Sequence, residues 1–266
     1  MKINVDIKKV HTLMLTALKE FHEFCVNNDV NYTLIGGTLL GAVREKGFIP
    51  WDDDADVVLF RKDYDKLKKN IKKFKSANGI VFNEYYDKVP RFEYRVDDNS
   101  YVWIDVYVFD YVTSNKFLQK VRKAVLAFFT AFTKNEKTFY ISYISKKERS
   151  KIEFFFFKLI YYFGKLFPRK FKLNVMDRIQ KNLFTNNKNY LQISNDEYSL
   201  LDLYYDHKII DGYILTDFED TKLFISKEYD YILKLVYGDD YMIPKQPDSY
   251  KLQKHHFTQI SNFKHV

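Results

Sequence analysis

The 266-residue chain has one cysteine, no long apolar run and no internal repeat. Cys25 has no second cysteine to pair with, which excludes an internal disulfide. No stretch reaches the roughly 18 uninterrupted apolar residues that a membrane-spanning helix requires. Residues 1–6 show no apolar signal region, so we expect a cytoplasmic protein.

Positive charge and aromatic side chains, by contrast, are plentiful. The formal net charge is +8, which favours anionic partners such as nucleotides, nucleic acid or an acidic membrane face. Hydrophobic residues make up 46% of the chain and charged residues 29%, which suffices for an ordinary globular core. Aromatic residues reach 18%, an excess that suggests a use beyond the core.

Periodicity predicts alternating helices and strands in a single catalytic domain, 1–266, with a core at 1–112 and 186–256. Helices are predicted over 5–27, 38–43, 63–75 and 228–237. Strands are predicted over 32–35, 57–60, 80–84, 92–96, 101–109, 190–194 and 213–225.

The stretch 113–185 differs in character and is predicted to be a helical insertion. Its two helices, 117–132 and 152–167, are very aromatic and dotted with lysines. Such helices can lie in the interface of an anionic membrane. They can equally form a hairpin that buries its aromatic side chains against the main sheet, and the sequence leaves both readings open.

Four aspartates, Asp52, Asp53, Asp54 and Asp56, fall within five residues. Carboxylates so close repel one another, so they must be exposed, partly protonated or bound to a cation. A buried strand is predicted directly after them, at 57–60. Side chains two apart on a strand point the same way, so Asp54 and Asp56 should share one face. Two fixed carboxylates suit Mg²⁺, which takes substrate phosphates as further ligands.

A glycine pair and a short helix precede the aspartates. Gly36 and Gly37 would let backbone N–H groups approach a phosphate, and Thr38 opens a predicted helix whose amino terminus favours negative charge. Arg44 supplies a positive charge for the leaving phosphates. This order, with a further aspartate on a later strand, is typical of phosphoryl or nucleotidyl transfer.

That further aspartate is Asp105, which lies among aromatic residues on one face of a predicted strand. An unpaired carboxylate in such surroundings is costly. Either Asp105 faces the same cation as Asp54 and Asp56, or it pairs with an arginine, for which Arg91 and Arg95 are near in sequence.

Several runs of residues carry a family resemblance. They are G-T-L-L-G-A-V-R at 37–44, G-F-I-P-W-D-D-D-x-D at 47–56, R-x-D-Y at 61–64, I-D-V-Y-V-F-D at 104–110, D-G at 211–212 and Y-G-D-D-Y-M-I-P at 237–244. They closely resemble the signatures of the LicD family, although Val108 and Phe109 replace a Pro-Leu pair and the last run has an extra aspartate. The resemblance covers roughly 30–110 and 205–250 and leaves the middle helices unmatched.

The resemblance implies an α/β (α+β) fold, with a nucleotidyltransferase-like mixed sheet flanked by helices. It also implies transfer of a phosphorylated alcohol, usually phosphocholine from CDP-choline, to a cell-surface glycan such as a lipopolysaccharide, capsule or teichoic acid precursor. By this analogy, Asp54 and Asp56 are paired ligands of Mg²⁺ or Mn²⁺, and Asp105 is a third ligand or the general base. The residues expected to bind the donor phosphates are Gly36, Gly37, Thr38 and Arg44.

The resemblance does not identify the donor alcohol. Trp51, Trp103 and Tyr107 are candidates for holding choline by cation–π attraction, worth about 0.5–2 kcal/mol per contact, or they simply pack in the core. Ribitol phosphate or glycerol phosphate from a CDP donor are alternatives.

Two further hypotheses are nucleotidyl transfer to RNA or protein and a non-catalytic membrane-associated scaffold. No RNA-binding module is present in the sequence, so no nucleic-acid partner is expected. The expected partners are a CDP-alcohol, a glycan acceptor, either free or lipid-linked, and the inner face of an anionic membrane. His255 and His256 are either further phosphate contacts or surface residues.

Overall fold

A computed structural model describes residues 7–96, 101–136, 138–139, 150–186 and 188–244. The chain falls into two compact units, the first within 1–83, 91–107 and 208–266 and the second within 84–90 and 108–207. His255 and His256 lie outside the described residues. A single catalytic domain with an insertion at 113–185 stays a prediction.

Apolar side chains at helical spacing explain the first helix, on which Val10, Met14 and Leu18 follow one another at four-residue steps and are all buried. The described helices are α1 (Ile7–Asn27), α2 (Gly36–Arg44), α3 (Arg61–Asn70), α4 (Lys116–Thr133), α5 (Lys151–Gly164), α6 (Arg169–Asn182) and α7 (Tyr229–Tyr237). None of them combines the length and the hydropathy needed to cross a bilayer.

Alternating side chains produce the strands that position the site, and on the longest of them Val102, Ile104 and Val106 all point into the core. The described strands are β1 (Thr33–Leu34), β2 (Asp56–Phe60), β3 (Val81–Asn83), β4 (Arg91–Arg95), β5 (Tyr101–Val112), β6 (Tyr190–Ile193), β7 (Tyr205–Asp206), β8 (Tyr213–Phe218) and β9 (Thr221–Ser226).

In the first unit, the strand order is β1-β2-β5-β4-β3. β1 pairs antiparallel with β2, β3 with β4, and β4 with β5. Helix α1 packs on this sheet, where the ring of Phe21 lies 5.1 Å from that of Phe92 on β4. The antiparallel hairpin β8–β9 packs on β1, and the Ser226 N–H donates to Thr33 Oγ1 at 2.8 Å.

In the second unit, the carboxyl-terminal part of β5 pairs antiparallel with β6, and β6 pairs with β7. Helix α4 packs against α5 and α6. The guanidinium of Arg122 on α4 is fully buried and donates to Gln192 Oε1 at 2.8 Å. Lys88 donates from its ammonium group to the carbonyl oxygen of Asp196. Burial, followed by the charge of Lys134, lowers the pKa of Lys88 to about 8.

The mixed α/β class with flanking helices is confirmed, and three details differ from the sequence predictions. Helix α6 lies within the stretch 113–185 that was predicted to be helical, but it adds to the two helices predicted there. The strand pattern predicted over 213–225 is divided into the two strands of a hairpin, with Glu219 at the turn at a φ of +53°. Phe109 lies at an even spacing from Asp105, so alternation predicts it on the same face of the strand as Asp105, but it is buried, with its ring 5.0 Å from that of Tyr205.

Candidate active site

Asp52, Asp53 and Asp54 lie in the loop that leads into β2, and Asp56 is the first residue of that strand. Ala55 and Val57 are buried, while Asp54 and Asp56 are half-buried on the opposite face, as the two-residue alternation predicted. The loop is held from α1 by His11, whose ring Nε2–H donates to the carbonyl oxygen of Asp52 at 2.6 Å. The His11 side chain of α1 thus holds the backbone of the loop at Asp52, the first of the four aspartates.

The glycine pair forms the start of α2, against which the carboxylates lie. The Ile35 N–H donates to the Asp56 carbonyl oxygen at 3.2 Å, and the Asp56 N–H donates to Thr38 Oγ1 at 2.9 Å. A Cβ atom on Gly36 would lie 3.2 Å from Asp56 Oδ2, and one on Gly37 would lie 2.3 Å from Asp52 Oδ2. The two glycines therefore allow the close approach of two carboxylates, which the partial positive charge of a helix amino terminus favours.

The backbone conformation is a second reason for glycine at position 36, where φ is +59°. This left-handed conformation costs other residues roughly 1–2 kcal/mol. The glycine pair was predicted to let a phosphate approach the backbone. In the structure, the carboxylates of Asp52 and Asp56 lie beside it, so a phosphate bound there would also meet negative charge.

Asp105 lies on β5 directly opposite Arg91 of β4. Arg91 Nε donates to Asp105 Oδ1 at 2.6 Å, and Trp103 Nε1 donates to Asp105 Oδ2 at 3.3 Å. Of the two explanations that the sequence left open, the arginine partner is present in the structure. The Asp105 N–H also donates to the carbonyl oxygen of Ala55 at 2.9 Å. The backbone of Asp105 is therefore hydrogen-bonded to that of Ala55, the residue between Asp54 and Asp56.

Tyr237, near the end of α7, is a site residue that the sequence analysis did not single out. Desolvation first, and then the negative charges of Asp56, Asp52 and Asp54, raise the pKa of the Tyr237 hydroxyl, while Arg44 acts in the opposite direction. Its side chain thus lies in the field of three carboxylates of the loop. The signal that could have found it is its position at the start of the 237–244 run.

Arg44 lies in the last turn of α2, and its side chain is only 8% exposed. Its Nε donates to Glu45 Oε1 at 2.6 Å, and one of its terminal nitrogens donates to the carbonyl oxygen of Tyr241 at 3.3 Å. Tyr241 in turn donates from its hydroxyl to Asp230 Oδ1 at 2.8 Å. Arg44 therefore links α2 to the segment after α7, and its contact with donor phosphates stays a prediction.

Glu219 is a second residue that sequence reasoning missed. At the β8–β9 turn, its Oε1 accepts from the Phe48 N–H at 3.0 Å and its own N–H donates to the Lys46 carbonyl oxygen at 2.7 Å. A Cβ atom on Gly47 would lie 2.1 Å from the same Oε1. The hairpin thus holds the loop that carries the aspartates, which explains the need for glycine at position 47.

The three aromatic candidates differ in their surroundings. The guanidinium of Arg91 lies 4.2 Å from the ring centroid of Trp103, so a cation already occupies one face of that ring. Trp51 and Tyr107 are half-buried. Their part in binding choline stays a prediction.

The carboxylates offer oxygen ligands, which are the ligands that Mg²⁺ and Mn²⁺ favour. Among the described residues, no group of three or more His, Cys, Asp or Glu side chains is arranged to hold a metal ion. Mg²⁺ commonly binds one or two carboxylates and completes its shell with water and phosphate, and Asp54 and Asp56 as its two protein ligands stay a prediction. For Asp105 to join them, it would have to share its carboxylate with Arg91.

Comparison with known proteins finds a family match for the part of the chain that contains the glycine pair, the four aspartates and Asp105. Residues 29–159 match the family model described as "LicD/FKTN/FKRP, nucleotidyltransferase domain". These residues belong to the LicD family. The resemblance predicted from the sequence is confirmed, and the LicD domain contains the glycine pair, the loop aspartates and Asp105.

Two relatives show how far the similarity extends. The lipopolysaccharide cholinephosphotransferase LicD of Haemophilus influenzae is 43% identical over 63 residues, which is 24% of each chain. An uncharacterized protein of Rickettsia prowazekii is 40% identical over 83 residues, which is 31% of each chain. The matched stretches thus span about a quarter to a third of the length of these relatives.

Proposed function

We propose that this protein transfers a phosphorylated alcohol from a CDP donor to a hydroxyl of a cell-surface glycan precursor. CDP-choline is the leading donor, and lipopolysaccharide, capsule and teichoic acid precursors are the acceptor classes. The observation that carries the proposal is the LicD-family match over 29–159, which includes the glycine pair and the aspartates gathered at the start of α2. A cytoplasmic location belongs to the same proposal.

The proposed reaction is a substitution at the phosphorus atom that bears the alcohol. The acceptor oxygen forms a new bond to that phosphorus, and the bond from phosphorus to the oxygen shared with CMP breaks. CMP leaves with the electron pair. The proton of the acceptor hydroxyl passes to a base, a role we assign to Asp105.

We assign Asp54 and Asp56 to hold a divalent metal ion, Mg²⁺ or Mn²⁺, with Asp105 as a third ligand. Such an ion would neutralise the negative charge that develops on the donor diphosphate. The proposal is supported by the crowding at the start of α2, where the carboxylates of Asp52 and Asp56 already face the helix amino terminus. A donor phosphate bound beside Gly36 would be repelled by these groups unless a cation lay between them.

A CDP-ribitol or CDP-glycerol donor is the second candidate, and one observation favours it. Arg91 stacks on Trp103, so this ring has one face fewer to offer to a quaternary ammonium group. The guanidinium also places positive charge where choline would bring another. A polyol phosphate would not meet this repulsion.

The test is a donor panel with purified protein, Mg²⁺ and a crude lipid-linked glycan extract. CDP-choline, CDP-ethanolamine, CDP-ribitol and CDP-glycerol are compared by CMP release, with and without acceptor. Acceptor-dependent CMP release with CDP-choline supports the leading proposal, and a clear preference for CDP-ribitol removes the choline assignment. Pyrophosphate release from a nucleoside triphosphate would instead indicate nucleotidyl transfer. Equal activity of wild type, Asp54→Asn and Asp56→Asn would contradict the assigned site and reopen the scaffold hypothesis.

A further inference from the structure

Helix α5 presents an apolar surface to solvent. Five side chains on the helix and one just after its end are between 52% and 76% exposed, namely Ile152, Phe155, Phe156, Leu159, Phe163 and Leu166. We call these six residues the apolar stripe. They recur at steps of three and four residues, with one adjacent pair, and therefore lie on one side of the helix.

The opposite side of α5 is firmly packed within the second unit. Phe157, Tyr161 and Gly164 are buried at steps of four and three residues. A Cβ atom on Gly164 would lie 2.3 Å from the Phe132 carbonyl oxygen of α4, so the two helices are in close contact. This packing fixes the rotation of α5 about its axis. The apolar stripe therefore faces outward as a consequence of how the helix is anchored.

A row of lysines runs along one flank of the apolar stripe. Lys151, Lys158 and Lys165 are exposed and seven residues apart, so they line up along the helix. Lys165 pairs with Glu136 at 2.8 Å, but this pair lies at the surface, where the lysine side chain remains 45% exposed. Lys170, also exposed, follows the same helix along the chain.

We propose that the apolar stripe and its lysine row bind the surface of an anionic membrane. In this arrangement, the Phe, Leu and Ile side chains enter the boundary between headgroups and acyl chains, and the lysines contact anionic lipid headgroups. The net charge of +8 acts in the same direction. The described helices do not span a bilayer, so α5 would lie in the plane of the surface.

Charge distinguishes this occupant from a second copy of the chain. In a two-fold symmetric contact, the stripe of one copy would face the stripe of the other, and the two lysine rows would flank the same interface. Like charges so placed repel each other, whereas an anionic lipid surface is complementary to both. The lysine row therefore favours a membrane over self-association.

The test is co-sedimentation of the full-length protein with vesicles. Binding to vesicles that contain phosphatidylglycerol, weakened by salt, is expected to exceed binding to phosphatidylcholine vesicles. The double variant Phe155→Ser with Phe156→Ser should lower the apparent affinity at least about tenfold. The double variant Lys151→Gln with Lys158→Gln should lower it about 30-fold, and only on anionic vesicles.

Two matched controls alter the same residue types elsewhere. Leu215 is 52% exposed on β8, and Lys9 is exposed on α1. The variants Leu215→Ser and Lys9→Gln should bind vesicles like the wild type. Because all these changes are at the surface, circular dichroism should show unchanged folding. As a second measurement, anionic vesicles should shift the tryptophan emission of the Phe155→Trp variant to the blue by more than they shift that of the wild type.

Three results would overturn the proposal. They are absent wild-type binding to anionic vesicles at low salt, unchanged binding by both double variants, and a wild-type dimer that the Phe155→Ser, Phe156→Ser variant dissociates without any vesicle binding. None of these readouts requires transferase activity. A failure of the proposed function would leave this inference standing, and the reverse also holds.

Discussion

Replacing Gly37 by alanine should reduce activity while leaving stability almost unchanged. The new Cβ atom would lie 2.3 Å from Asp52 Oδ2, whereas ordinary contacts of such atoms begin at 3.4 Å. Gly37 belongs to the packed start of α2, so its backbone is held in place. The Asp52 carboxylate must therefore move by about 1 Å. A displacement of that size at a catalytic centre can cost about 100-fold in rate.

The stability terms for Gly37→Ala largely offset each other. Alanine favours a helix over glycine by up to about 1 kcal/mol. Displacing Asp52 weakens its interaction with the helix amino terminus, which is worth about 0.3–1 kcal/mol. The free energy of unfolding from urea denaturation should therefore change by less than about 1 kcal/mol, while acceptor-dependent CMP release falls about 100-fold.

Gly79→Ala provides the control with the opposite signature. Nothing lies within 4 Å of its added Cβ atom, but the φ of +80° disfavours any other residue. This variant should lose about 1–2 kcal/mol of stability and keep full activity. Full activity of Gly37→Ala, or equal loss of stability in both variants, would refute the reasoning that carboxylate placement is what Gly37 protects.

Three further predictions concern charged groups. Asp54→Asn or Asp56→Asn should lower CMP release by about 10²–10³-fold without changing the melting temperature; a destabilised variant would point to a structural role. Arg91→Met should lower the free energy of unfolding, measured in urea, by about 2–3 kcal/mol, because it removes the guanidinium that pairs with Asp105, a carboxylate only 13% exposed. Added Mg²⁺ should restore more stability to that variant than to wild type; an equal effect would argue against metal binding at Asp105. Burial lowers the pKa of Lys88 to about 8, below the usual 10.5, so the unfolded state binds more protons between these values. Wild-type stability, measured relative to Lys88→Met, should accordingly rise from pH 8 to about pH 10.5, and a fall would contradict the burial of this amine.

Local patterns predicted those parts of the site that lie within one element. Alternation predicted that Ala55 and Val57 are buried while Asp54 and Asp56 are not, and the same period placed Asp105 on the aromatic face of β5. The sequence could not decide whether Asp105 meets a cation or an arginine. That depended on the β4–β5 register, which sets Arg91 opposite it. Register follows from the packing of a whole sheet and is not encoded in the strand alone.

The residues that were missed reach the loop from distant parts of the chain. Glu219 acts through a turn inside the predicted strand pattern 213–225, and no turn was predicted there because a φ of +53° is unusual for glutamate. Tyr237 lies on α7, far in sequence from the carboxylates that, after desolvation, raise the pKa of its hydroxyl. Periodicity carries no information about such long-range contacts. The family resemblance of the 237–244 run was the one available signal.

The most direct test of the account is to detect the product on the acceptor. Wild-type protein, Mg²⁺, CDP-choline and a lipid-linked glycan extract are incubated together, and the glycan is analysed by mass spectrometry alongside an Asp56→Asn reaction. We expect the glycan to gain one phosphocholine group, with a matching amount of CMP, in the wild-type reaction alone. The same product from both proteins, or CMP released while the glycan stays unmodified, would contradict this expectation.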